Sequence, residues 1–284
     1  MTSEAFENTT WIVGPVAWDS VVYTQDFPRP GAFTQGIRFE ERAGGTGANV
    51  ARALASAGVK TGFVGYLGSD SHGQALEREL AESKIHNLSI TKIEGPTSHV
   101  LILVDSTGDR TILGMAPDHL DRVSLSDVPL QPGDTVVFVV WREHFRADLE
   151  LARAAGCRLV VGLDAVLDPA VTDCFLAIGS HHDLRSDSSI AKLSSNFERI
   201  VVTMGEQGAT EYSGAVKISQ PALPTTVVDA TGAGDSFLAG YLAALAHGVT
   251  DSQTALRLGA TWAAATVASE ASIPPNFDTL GVTL

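Results

Sequence analysis

Asp229-Ala230-Thr231-Gly232-Ala233-Gly234-Asp235 leads without a break into residues 236–247, an Ala-rich run with helical periodicity. Three small residues at a helix start leave backbone N–H groups unshielded, and the helix dipole adds partial positive charge at the same point. Anions bind at such places. A carboxylate beside a bound anion costs Coulomb energy. Asp235 therefore makes sense as a base that accepts a hydroxyl proton while the amides of Gly232, Ala233 and Gly234 neutralise charge on a phosphoryl group in flight. The same seven residues also read as a capped helix, with Thr231 as N-cap and Asp235 complementing the dipole. A second cluster decides between the two.

That cluster is Gly44-Gly45-Thr46-Gly47-Ala48-Asn49, again at the mouth of a helix, in which Val50, Leu54 and Ala57 recur at helical spacing before Gly58 stops it. Adjacent glycines let the backbone approach a polyhydroxy ligand closely, and the Asn49 amide can both donate to and accept from hydroxyl groups. The cluster lacks the G-x-G-x-x-G spacing and a buried strand before it, so it is no dinucleotide fingerprint. No Gly-Lys-Ser/Thr follows any glycine run, which excludes a Walker A loop.

Outward from these clusters the chain alternates. Residues 11–13 and 61–67 predict short strands, and residues 72–83 a helix with Ala75, Leu76 and Leu80 on one face. Residues 14–19 predict a loop, and Pro28, Pro30 and Gly31 break the extended stretch before 33–42. Residues 99–105 and 110–113, joined by Ser106-Thr107-Gly108-Asp109, predict a β-hairpin. Residues 135–141, 158–163 and 199–203 are apolar runs typical of strands buried on both faces, with helical patterns between them. Two Ala-rich helices, 236–247 and 252–269, close the chain. The expected fold is α/β in three layers, a mostly parallel sheet flanked by helices, as a single domain over residues 1–284. Two extended regions, about 16–42 and 95–115, interrupt the alternation and are expected to pair into a small sheet, a lid over one edge.

Composition narrows the partners. Of 284 residues 44% are hydrophobic and 18% charged, which excludes intrinsic disorder, and the net charge of -14 disfavours nucleic acid and anionic membranes. A small-molecule partner remains. Cys157 and Cys174 form no C-x-x-C unit, the N-terminus is polar and acidic, and no apolar run approaches a membrane span. These features predict a cytoplasmic protein in a reducing compartment.

Residues 44–67, followed by Gly68-Ser69-Asp70-Ser71-His72-Gly73, and residues 228–240 resemble the two signature regions of the ribokinase-like (PfkB) sugar kinase family. The resemblance implies substrate contacts from Gly44, Gly45 and Asn49, joined by Asp19, which as a bare residue also reads as a plain loop carboxylate. It implies an anion hole at Gly232, Ala233 and Gly234, with Asp235 as base. Thr203-Met204-Gly205-Glu206-Gln207-Gly208 resembles the family's T-x-G-x-x-G turn near the nucleotide and implies Thr203, Gly205 and Gly208 there, with Thr231. Asp229 and Thr231 resemble positions that hold a monovalent cation such as K⁺ in several members; otherwise they cap the helix.

One departure stands out. The family's N-x-x-E stretch, which organises Mg²⁺, has no counterpart at His181-His182-Asp183-Leu184-Arg185-Ser186-Asp187, leaving Asp183 and Asp187 as candidates to hold metal-bound water. His181 and His182 read as solvated. Gly108-Asp109-Arg110-Thr111-Ile112 resembles the Gly-Asn-Arg-Thr-Ile of the ketohexokinase branch, which is likewise degenerate at N-x-x-E, and implies a ketose-like acceptor. Arg110 and Arg142 are candidates to reach it, and each also reads as a surface cation. The resemblance implies ATP- and Mg²⁺-dependent phosphorylation of a primary hydroxyl on a sugar or related polyol. Two alternatives stay open. One is a nucleoside kinase, with Trp11, Trp18, Phe33 and Trp141 available to pack a base; the other is a ligand-binding regulatory relative that has lost catalysis. Open edges on the lid strands predict a homodimer through the lid.

Overall fold

The structure, a computed structural model, describes residues 8–116, 118–184, 190, 195–269 and 273–283. In chain order its strands are β1 (Thr10–Val13), β2 (Ala17–Tyr23), β3 (Arg38–Gly44), β4 (Thr61–Leu67), β5 (Asn87–Lys92), β6 (His99–Val104), β7 (Arg110–Gly114), β8 (Thr135–Phe138), β9 (Arg158–Gly162), β10 (Cys174–Ser180), β11 (Phe197–Thr203), β12 (Ala209–Ser213) and β13 (Val216–Gln220). The α-helices are α1 (Thr46–Ser56), α2 (Ser71–Glu82), α3 (Arg146–Ala154), α4 (Ala233–Ala246) and α5 (Ser252–Val267).

One sheet runs β13-β12-β11-β10-β9-β8-β1-β4-β5, parallel from β11 to β5, with β12 and β13 added antiparallel at one edge. Strand alternation divides its side chains between two cores. Ile12, Phe63, Val137, Val160, Leu176 and Val201 point into the core shared with α1, α2, α4 and α5. Their neighbours Trp11, Val13, Val64, Val136, Phe138 and Val161 point into the opposite core, against Leu149 and Ala152 of α3. Both faces are thereby covered, which is why β1 and β4 read as uninterrupted apolar runs. Helix α4 is apolar almost all round and packs closely on α5: a Cβ on Gly240 would meet Gly259 Cα at 2.8 Å.

The second sheet, β3-β2-β6-β7, is assembled from the two extended interruptions, as expected. Pairs β2–β3 and β6–β7 are antiparallel, whereas β2–β6 is parallel. Its register sets Asp19 opposite Arg42 and Val21 opposite Glu40. Val21, Ile102 and Val104 form a small buried cluster on one face. On the other face Phe39 and Leu113 lie open to solvent.

Several expectations are corrected. The first helix begins at Thr46 rather than Asn49, because the glycine cluster supplies its first turn. Asp19 lies within strand β2, not in a loop. Between β9 and β10 the connection is a 3₁₀ turn, Leu163–Leu167, where a helical pattern was expected. Strands β5, β10, β12 and β13 have no counterpart among the predicted elements.

Candidate active site

Two helix starts meet in space. Gly232, the N-cap of α4, has φ 76° and ψ −4°, a left-handed conformation that glycine adopts without strain. No side chain caps α4, and a Cβ on Gly234 would meet nothing within 4 Å, so there is open space beside the first turn, whose Ala233 N–H donates to the Ala230 carbonyl at 3.4 Å. Asp235 sits in that first turn, part-buried. Its Oδ2 accepts a hydrogen bond from Asn49 Nδ2 at 2.8 Å, and the Thr46 hydroxyl also bonds it. Both partners come from the start of α1, so residues 186 positions apart in sequence meet at one carboxylate. Burial pushes the Asp235 carboxyl above the usual carboxylate range, against the opposing pull of Asn49, Thr46 and the charge of Arg110. The result is a stronger base than a solvated aspartate, with donors that hold it in place.

Asp19 joins this pocket from β2. It is buried, and a Cβ on Gly44 would fall 2.0 Å from its Oδ2, so Gly44 exists as the space its carboxylate fills. Burial raises its pKa to about 6. The charges of Arg42 and Arg52 oppose that rise, and the charge of Asp235 adds to it. Gly45, at φ 89°, lies so close to the chain at 15–17 that a Cβ would approach Ala17 N and Val16 Cα to 2.7 Å. Asp19, Gly44, Gly45, Asn49 and Asp235 are thus brought together, and Arg110, exposed on β7, is near enough for its charge to act on Asp235.

The sequence reasoning missed Arg42, Thr46, Arg52 and Asp164. Arg42 lies across from Asp19, its Nη2 4.0 Å from Asp229 Oδ2, and its three guanidinium nitrogens are buried with no hydrogen-bond partner among the described residues. Asp229 is fully buried and its Oδ1 accepts the Thr231 N–H at 2.8 Å. The Thr231 hydroxyl is buried and unpaired among the described residues. Thr46 stands inside the quoted glycine cluster, so its position was a usable signal.

The remaining candidates line the C-terminal ends of the parallel strands. Thr203 ends β11, where its Oγ1 donates to Gly179 O at 3.2 Å, and Gly205 and Gly208 turn the chain with positive φ. Asp183 Oδ2 accepts the Ser180 N–H at 2.8 Å, closing a capping box. Asp164, just past β9, accepts the Trp141 N–H at 2.9 Å; burial and the neighbouring Asp183 charge raise its pKa. Asp187 lies outside the described residues. Arg142 is bound to Asp118 Oδ2 at 2.9 Å and to the Trp141 carbonyl, and its charge acts on Asp164. Two of the aromatics considered for a nucleobase are committed to the core: Trp11 donates to Asp134 and Trp141 to Asp168. Trp18 stacks on His72 with ring centroids 5.0 Å apart, and Phe33 is 88% exposed. Both cysteines are free, and burial raises each thiol to about 11, which disfavours thiolate chemistry.

A three-layer α/β fold with a small second sheet and an uncapped helix start beside a raised carboxylate defines a phosphotransferase architecture, and comparison with known proteins agrees. Residues 11–140 and 173–279 match the pfkB family carbohydrate kinase model, and the chain belongs to that family. It is 31% identical over 253 residues to a fructokinase of Klebsiella pneumoniae, covering 75% of this chain and 80% of that one. A nucleoside kinase of Methanothermobacter thermautotrophicus is 29% identical over 261 residues, covering 83% and 82%. The crystal structure of a Methanocaldococcus jannaschii nucleoside kinase shares the fold with a TM-score of 0.80 at 22% identity, over 96% and 97% of the two chains. The chain is therefore a sugar or nucleoside kinase.

Proposed function

We propose that this chain acts as one kinase unit that transfers the γ-phosphoryl group of ATP to a primary hydroxyl of a ketose-like sugar or related polyol. The observation that carries the reading is the Asn49–Asp235 contact of 2.8 Å, which joins both glycine clusters at an uncapped helix start. Asp19, Gly44, Gly45 and Asn49 bind the acceptor hydroxyls. Asp235 takes the proton of the attacking hydroxyl as its oxygen bonds to the γ-phosphorus and the bond to the β-phosphate bridging oxygen breaks, releasing ADP. The amides of Gly232, Ala233 and Gly234 stabilise the charge on the group in transit. Thr203, Gly205 and Gly208 shape the nucleotide side. The small sheet serves as a lid, from which Arg110 faces the acceptor; Arg142, held by Asp118, guards the rim.

The donor set suits Mg²⁺. Asp164 and Asp183 interact electrostatically beyond the ends of neighbouring β9 and β10, and a hard ion that keeps most of its waters needs only one or two carboxylates. They would hold the ion through water, and it supplies charge neutralisation at the phosphates. Ser180 and Asp183 keep the three-residue spacing of the missing N-x-x-E with shorter side chains. The monovalent cation fits less well. The unpaired Thr231 hydroxyl invites one, but the Arg42 guanidinium already faces Asp229, and the reaction is derived without K⁺.

Asp235→Asn tests the assignment. With structure and ATP binding unchanged, turnover is expected to fall by on the order of 10²–10⁴-fold; near-full turnover would refute it. A nucleoside acceptor is the second reading, supported by the similarity to a nucleoside kinase and by the exposed Phe33 between β2 and β3. A panel of ketoses, aldoses and nucleosides, scored for ADP release, separates the two, and binding without ADP release would favour a regulatory relative. The exposed Phe39 and Leu113 on the outer lid face support a homodimer through the lid, which a monomeric mass in sedimentation would exclude. No described helix is long and apolar enough to cross a membrane, and two free cysteines suit the cytoplasm.

A further inference from the structure

We propose that Arg52 is a positioning residue that holds the Asn49 side-chain amide in the one orientation able to donate to Asp235. The inference rests on Asp235 being the base. Asn49 and Arg52 lie three residues apart on α1 and therefore share a face. Arg52 Nη2 donates to Asn49 Oδ1 at 3.3 Å, Nε donates to the Ala48 carbonyl at 3.3 Å, and Nη1 donates to Glu79 Oε1 of α2 at 2.5 Å. Each arm of the guanidinium thus has its own acceptor, and the side chain is only 19% exposed.

The chemistry of the two groups makes the orientation compulsory. An asparagine amide flipped by 180° keeps almost the same shape, so packing alone scarcely distinguishes its oxygen from its nitrogen. A guanidinium can only donate. With Arg52 on one side, the Asn49 oxygen must face it, and the NH₂ group must turn to Asp235. The flipped amide would set a carbonyl oxygen 2.8 Å from a carboxylate oxygen, two acceptors with no hydrogen between them. Glu79 matters because it fixes the guanidinium from a different helix, so that α2 braces a bond made inside the pocket. Lysine has no planar fork and cannot reproduce the three bonds at once.

A double-mutant cycle tests this. ATP-dependent turnover of D-fructose, D-ribose and inosine would be measured for wild type, Arg52→Leu, Asn49→Ala and the double variant, with Asp235→Asn alongside. Arg52→Leu is expected to lower kcat by about ten- to a hundredfold with little change in KM for ATP, since misplacement near 1 Å has that scale. The acid limb of its pH profile should move to higher pH, because the Asn49 bond holds the Asp235 pKa down, and should move further than in the Asn49→Ala background, where Arg52→Leu removes only its charge from Asp19. In the Asn49→Ala background the same change should cost almost nothing. Equal cost in both backgrounds, or an acid limb that moves no further in wild type than in the Asn49→Ala background, overturns the proposal. Near-wild-type turnover in Asp235→Asn overturns it for another reason, by removing the base, whereas a silent Arg52→Leu beside an inactive Asp235→Asn defeats the positioning role alone. Should Arg52→Leu fail to fold, Arg52→Lys enters the same cycle with a smaller loss expected. A substrate-free readout stands beside these: the Asn49 side-chain ¹H–¹⁵N pair, identified by its loss in Asn49→Ala, should shift in Arg52→Leu, and an unchanged position refutes the contact.

Discussion

Replacing Gly44 by alanine adds one methyl group at a known place. Gly44 is not among the glycines with positive φ, so the backbone accepts alanine, and the whole cost falls on what the methyl meets. It meets Asp19: Oδ2 at 2.0 Å, Cγ at 2.4 Å and Oδ1 at 2.8 Å. To restore ordinary contact the carboxylate must retreat by more than an ångström, out of a buried site. Overpacking of this kind costs about 1–3 kcal/mol, a fall of roughly 2–10 °C in melting temperature for a chain of this size. Displacing by that distance a group proposed to bind acceptor hydroxyls should lower kcat/KM for the acceptor by on the order of 10²-fold. The assay is coupled ADP release with the preferred acceptor, with scanning fluorimetry on the same samples. Asp19→Ala should lose comparable activity, and Asp19→Ala/Gly44→Ala should match Asp19→Ala in both readouts because the obstacle has been removed. A Gly44→Ala variant with normal kcat/KM, or a double variant in which the two losses add, would refute the idea that Gly44 is the seat of the Asp19 carboxylate.

Other outcomes follow from the same geometry. Asp19 carries a pKa raised to about 6 from 3.8, so the folded state binds more protons between those values; the stability it contributes below pH 4 is lost as pH rises through 6. Asp19→Asn should therefore melt higher than wild type at pH 7.5, by on the order of 1–3 kcal/mol, with the gap closing towards pH 4; a gap independent of pH contradicts this. Arg42→Met removes the largest charge that opposes the rise, so the acid limb of acceptor binding should move to higher pH, and an unmoved limb would separate Arg42 from the pocket. Gly240→Val would drive a side chain into the α5 backbone at Gly259, and a loss of at least about 1–3 kcal/mol in chemical denaturation is expected; an unchanged midpoint would mean the two helices slide apart freely.

The parts of the molecule that the sequence made legible are those with a local signature. The buried strands β1, β4 and β9 carry continuous apolar runs, and α4 and α5 show their periodicity among alanines. Strand β5 was missed because it lies at a sheet edge, where Asn87-Leu88-Ser89-Ile90-Thr91-Lys92 is half-exposed and mixed in character. Of the site, Asn49 and Asp235 were visible as motif residues, but the bond between them is a product of helix packing. Arg42 and Arg52 had no signal at all. An arginine in a strand or helix looks like a solvated surface group until the fold places carboxylates and amides around it. Trp11 and Trp141 erred in the opposite sense, since an aromatic in an apolar run suits a ligand and a core equally well.

The glycines under the proposed acceptor pocket have a bearing on how such an enzyme changes its diet. Added carbon at Gly14, Gly44, Gly45 or Gly47 would run into a neighbouring valine, a carboxylate or main-chain atoms, in every case at less than 3 Å. Decorating that floor is costly, because each added carbon must displace the main chain, a packed valine or the Asp19 carboxylate. The freedom lies overhead, on β7, where Arg110 and Ile112 share the Asp19 face of the small sheet and are exposed enough to be exchanged at little cost to stability. With Asp235 as the proposed base fixed below, a change of acceptor would come from rewriting that roof.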